Sequence, residues 1–187
     1  MSEADFILIS GAWGYALAAR CYLSLALLLL TSWRGRLQGG LLLAVCLLSA
    51  VWAAMLSYSL ANGLPLSIVH IWLELLRDGA VLLFLYKVLA IDRVRPGSAD
   101  VRFRGLGYAI IAIWLVLALL HSSNWFLGRS LLELLGYDPR LAGHLVLALS
   151  GLVLVEQLYR NTPTQQRWAI KYLCLGLGGL FAYDFYL

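Results

Sequence analysis

One stretch of the chain carries more ionisable side chains than its apolar surroundings readily hold. In IVHIWLELLRDGA, His70, Glu74 and Asp78 stand four residues apart, and Arg77 lies three after Glu74. On a helix this spacing puts His70, Glu74 and Asp78 on one side, with Arg77 able to pair with Glu74. An ionisable group at the centre of a membrane span costs roughly 2.5–3.5 kcal/mol on insertion scales, so such groups are functional candidates by default. The chemistry open to them is proton uptake, ion pairing and hydrogen bonding to a small ligand. Two roles follow: a ligand-sensing or proton-responsive site, or a structural ion-pair network that fixes helix order.

Other polar residues inside apolar runs are fewer. Arg20 sits near the middle of the first run. Counted from Phe6 and Pro65, Arg20 and Asp78 both lie about 20 Å deep at 1.5 Å per residue. Matched depth and the cost of an unpaired charge predict an Arg20–Asp78 ion pair. Glu156 stands four residues before Arg160 and is expected to meet it or to reach the interface. Asp184, in AYDFY, either caps an outer polar cluster or reaches water. His121 and His144 stand at the ends of apolar runs, without Cys or acidic partners at ligand spacing, so no metal site is assigned. Cys21, Cys46 and Cys174 are odd in number, lack a CxxC pair and read as small buried apolar residues.

Gly176, Gly178 and Gly179 in LGLGGL follow no strand and precede no Lys-Ser/Thr pair, so they are not a phosphate loop. Together with Ala50, Ala54 and Ser57 they are expected to let helices approach closely. Serine-hydrolase, zinc-protease and kinase glycine motifs are missing, and Cys174 lies toward the opposite face from the histidines. No catalytic residue and no cofactor are therefore assigned within this chain.

Composition dictates the elements that position these groups. Of 187 residues, 62% are hydrophobic and 13% charged, with a net charge of +4. Soluble domains run at roughly 45–50% and 25%. Mean hydropathy is +0.83. A domain of this length cannot hide that much apolar surface from water. A soluble globule, a disordered tail, a coiled coil and a disulfide scaffold are excluded. What remains is an all-α, polytopic transmembrane helix bundle. Its six predicted spans are Phe6–Thr31, Leu41–Leu60, Leu66–Ala90, Gly105–His121, Leu141–Tyr159 and Ile170–Leu187. The fourth is short unless Ser122–Leu127 extends it, and Pro65 suits a first helical turn. Continuous Leu-rich runs argue against a barrel, whose strands would alternate.

Loop charge sets the orientation. Arg34, Arg36, Lys87, Arg93, Arg95, Arg102, Arg104, Arg160, Arg167 and Lys171 fall on one side, and only Arg129 and Arg140 on the other. Ten against two predicts cytoplasmic basic loops and an N-terminus outside. The basic pI is explained by the same loops, so no nucleic-acid partner is expected. LLELLGY, in the outer loop, is a candidate interfacial helix. MSEADF lacks a positive n-region, so the first run is expected to be retained. Trp33, Tyr172 and Tyr186 fit interface belts. The sixth run is still apolar at Leu187, which predicts a fragment of a longer protein.

The last stretch is more specific. In VEQLYRNTPTQQRWAIKYLCLGLGGLFAYDFYL (155–187), the markers are Glu156, Tyr159, Arg160, Asn161, Gln166-Arg167-Trp168, Lys171-Tyr172 and Ala182-Tyr183-Asp184-Phe185-Tyr186. It resembles the N-terminal membrane region of the histidine kinases of the PEP-CTERM/exosortase system of Gram-negative bacteria. The resemblance implies that residues 1–187 form a multi-pass sensor domain in the bacterial inner membrane, followed by a cytoplasmic kinase core outside this chain. That core would use ATP and pass a phosphoryl group to a cognate response regulator. A homodimer and a link to exopolysaccharide production are implied with it. The residues alone also admit a small transporter or channel subunit, or a membrane scaffold.

Overall fold

A computed structural model of the chain describes residues 3–31, 37–65, 67–92, 99–126, 139–162 and 167–186. Among the described residues there are six helices and no strand: α1 (Glu3–Thr31), α2 (Leu37–Ala61), α3 (Ile68–Asp92), α4 (Ala99–Phe126), α5 (Pro139–Asn161) and α6 (Arg167–Tyr186). Each predicted span falls within or close to one of them. Three helices are long and apolar enough to cross a membrane, through Leu8–Thr31, Gly39–Ala61 and Ala142–Asn161. This marks the chain as a membrane protein. α3 matches them in length but carries Glu74, Arg77 and Asp78 within little more than one turn. α4 runs past both predicted ends, to Ala99 and Phe126, although its apolar stretch is only Gly107–Ser122. LLELLGY, Trp33, Arg34, Arg36, Arg93 and Arg95 lie outside the described residues.

The helices form two compact units, Met1–Phe84 and Leu85–Leu187. In the first, α1 packs on α2. Small residues make the seam: Ala12, Ala26, Cys46 and Ala53 are buried, and Gly11 lies against Leu60. Ser57 Oγ donates across the seam to the Ala12 carbonyl at 2.8 Å. Interhelical bonds of this kind contribute about 0.6 kcal/mol on average in membranes. Ser57→Ala is therefore expected to weaken the α1–α2 pair by about that amount in a bilayer unfolding measurement, with the helices otherwise unchanged.

α2 ends in a Schellman turn. Gly63 has φ 60°. Leu64 N–H donates to the Ser59 carbonyl at 2.9 Å and Gly63 N–H to Leu60 at 3.3 Å. A side chain at Gly63 would be strained in this left-handed conformation. α3 then starts at Ile68, with the Ser67 carbonyl accepting from His70 N–H at 2.9 Å. Pro65 therefore stands in the connection, ahead of the first helical turn predicted for it.

In the second unit α5 packs on both α4 and α6. Glycines allow the closest approaches. A Cβ at Gly143 would overlap Leu117, and one at Gly151 would overlap the ring of Phe181, which is almost wholly buried. A Cβ at Gly107 would come within 2.6 Å of the Tyr86 ring. The glycines expected to serve this purpose do not: Gly176 and Gly179 face open space, and Gly178 has Val155 only at 3.9 Å. The predicted small-residue face of α2 shifts likewise. Ala50 and Ser57 belong to it, but Ala53 is buried where Ala54 is exposed.

Candidate functional site

The polar stripe of α3 is a real cluster within the first unit. His70, Arg77 and Asp78 are buried and Glu74 is half-buried. Arg77 turns its guanidinium onto the next residue: Nε and Nη2 both donate to Asp78 Oδ1, at 3.1 and 2.9 Å. Their side chains are 3% and 6% exposed. Neighbours in sequence do not normally face each other on a helix. Here both lie on the wide buried face of α3, and the long arginine stem curls back to the shorter carboxylate. Glu74 acts on Asp78 electrostatically from one turn away.

α2 supplies the other wall. Trp52 is buried, and the Arg77 guanidinium stacks over its ring at 4.2 Å from the centroid. That contact gives the cation a π-face in place of water. The same indole lies 5.8 Å from the His70 ring and 5.8 Å, edge-on, from Tyr15 of α1. Trp52 thus links all three helices of the unit. Ser49, one turn before it, is also buried.

Three polar atoms of this cluster, Ser49 Oγ, Trp52 Nε1 and His70 Nε2, are buried without a hydrogen-bond partner among the described residues. Buried polar groups are nearly always satisfied, so such a concentration marks a place for a water, a proton or a small ligand. Trp52 can only donate, Ser49 can do both, and His70 can donate or accept according to its protonation.

The other candidates fall out differently. Arg20 does not meet Asp78. Asp78 is held by Arg77, and Arg20 is exposed on α1. Depth counting takes no account of azimuth, and Arg20 points away from the seam that α1 shares with α2. Glu156 meets Arg160 as expected, Oε1 to Nη1 at 3.2 Å, with both side chains largely exposed. An exposed pair of this kind contributes about 0–1 kcal/mol. Asp184 is half-buried in the last turn of α6. Cys46 and Cys174 are buried, whereas Cys21 is exposed, against expectation.

Two features were not foreseen. His121 is buried, its Nδ1–H donating to the Leu117 carbonyl at 2.9 Å, and its ring meets His144 edge-on at 5.5 Å. The signal was available, since both residues flank the same loop between two predicted antiparallel helices. Among the described residues no group of three or more His, Cys, Asp or Glu could hold a metal ion. The second feature is a clasp at the α5–α6 turn. Arg167 Nε donates to the Thr162 carbonyl at 3.0 Å and Nη2 to Arg160 at 3.4 Å, while its guanidinium lies 5.6 Å from the Tyr159 ring centroid. A cation there satisfies carbonyls left open at a helix C-terminus. Trp168 and Tyr172 stack edge-on at 6.2 Å. Several residues of the 155–187 motif are thus parts of one local joint. No protein-family model, curated protein or solved structure matches this chain.

Proposed function

We propose that the chain is the membrane-embedded sensor portion of a bacterial two-component histidine kinase linked to the PEP-CTERM/exosortase and exopolysaccharide system. In this reading it crosses the inner membrane six times from an outside N-terminus and works as a homodimer. The observation that carries the sensing role is the buried Arg77–Asp78 pair beside the unsatisfied His70 and Trp52 nitrogens. A ligand or proton that takes up this spare hydrogen-bonding capacity in one helix packing better than in another shifts the packing toward it. The kinase assignment is supported by the residues of 155–187. ATP would be used by a core outside this chain, which would phosphorylate a cognate response regulator.

The test uses the full-length protein in proteoliposomes. Phosphoryl transfer from ATP to a histidine is expected, with an output that changes under signal. The combined His70→Ala, Glu74→Gln and Asp78→Asn variant is expected to keep basal phosphorylation and lose the response. A response that survives this variant removes the site from the mechanism; solute flux without phosphorylation would replace the sensor reading with a transporter. Reporter fusions at Arg95 and Gln165 are expected to be cytoplasmic, and periplasmic signals there would overturn the orientation.

A further inference from the structure

With Asp78 taken by Arg77, the charge of Arg20 is left to be explained. Its side chain is exposed, and its guanidinium makes no hydrogen bond or ion pair among the described residues. Arg20 stands twelve residues after Leu8 and eleven before Thr31, the ends of the apolar stretch of α1. At 1.5 Å per residue it is about 18 Å from one end and about 16 Å from the other. Arginines escape to the headgroups when they lie near helix ends, and this one lies at neither. In hydrocarbon the charge requires a counter-charge brought by something else.

The surface around it indicates what that is. Trp13, Leu17, Arg20, Ser24, Leu27 and Thr31 are spaced four, three, four, three and four residues apart, and all are exposed. These residues share one face of α1 with Arg20 on it, and a single polar residue on a face that packs against a helix fixes the register of its partner. Within Leu8–Thr31 only Ala12 and Ala26 are buried. A lipid tail offers this face no counter-charge; a helix that carries a carboxylate does. The chain's own described carboxylates do not fit. Asp78 is buried and bridged, Glu156 is bridged to Arg160 close to the end of α5, and Glu74 and Asp184 are half-buried with interactions of their own.

We propose that this face of α1 docks a membrane-spanning helix of another polypeptide, one that carries Asp or Glu at mid-bilayer depth opposite Arg20. The proposal rests on α1 crossing the bilayer and is independent of the kinase assignment, so either can fail alone. Docking there would give the protein a membrane partner selected by charge and register.

The test places a photo-reactive residue at Leu17 of the full-length protein in phosphatidylcholine vesicles. The probes are synthetic peptides of about 20 leucines, long enough to span, with or without one central Asp. Crosslinking to the Asp peptide is expected to exceed that to the all-Leu peptide about tenfold, a range consistent with interhelical polar contacts in lipid. Arg20→Leu should abolish the difference, Arg20→Lys should keep most of it, and Arg20→Asp should transfer the preference to a central-Lys peptide. Because Arg20 is exposed, these variants leave the α1–α2 seam intact. Equal yields for both peptides, a preference that survives Arg20→Leu, or adducts formed only between copies of the chain would overturn the proposal. So would labelling of Cys21 by a membrane-impermeant maleimide, since Cys21 would then lie outside the hydrocarbon.

Discussion

Asp78→Ala is expected to cost about 3–5 kcal/mol of fold stability, because it removes the carboxylate that accepts two Arg77 donors in a site that excludes water. Arg77 is 3% exposed at its side chain and directs two donors at one carboxylate oxygen. Without that acceptor the two donors lose their carboxylate oxygen, and the Trp52 π-face, worth about 2 kcal/mol for a desolvated cation, does not replace it. The decisive comparison is the double variant Arg77→Met with Asp78→Leu. It removes both charges while keeping apolar volume, so it should recover most of the loss. Unfolding in a lipid-compatible denaturant, read by helical signal, provides the measurement. A double variant as unstable as Asp78→Ala alone would mean that the pair stabilises through specific hydrogen bonds. In the signalling assay the double variant should be stable and unresponsive, which separates a sensing role from a structural one.

Gly151→Val is expected to cost about 1–3 kcal/mol by overpacking the α5–α6 contact. The Phe181 ring lies against Gly151 and has nowhere to move, being 1% exposed. Between membrane helices, close packing supplies much of the association energy. A helix pushed outward there loses contacts along its whole length. Phe181→Leu added to Gly151→Val should restore part of the stability by giving back volume. The same valine at Gly176 or Gly179, which face open space, should be nearly neutral. Equal losses at Gly151 and Gly176 would show that glycine content, and not this contact, governs the joint.

Much of the fold was legible because a 20-residue apolar run has one stable form in lipid, a helix. The six runs and the turn residues between them located the six described helices to within a few residues, apart from the ends of α4. The stripe at His70, Glu74, Arg77 and Asp78 was legible for the same reason: the helical period fixes which residues share a face. Partner choice was not. Depth is linear in residue number, but the direction a side chain takes depends on how each helix is rotated against its neighbours. Arg20 was therefore assigned to Asp78, and close packing to Gly176–Gly179 instead of Gly151. Trp52 was hidden for a related reason. A tryptophan in an apolar run reads as filler until the residues stacked on it belong to another helix.

The Schellman turn at Gly63 bears on how the protein is made. Only residues 62–67 separate Ala61 from Ile68, and their backbone is already folded back at Leu64. α3 alone would be a poor client for the translocon, since its acids and arginine offset much of its apolar gain. Joined to α2 by so short a link, it can enter the bilayer as half of a hairpin, with the Trp52 indole ready to receive Arg77 as it arrives. Lengthening this link should therefore lower the yield of correctly inserted chains, even if the finished fold tolerates the extra residues.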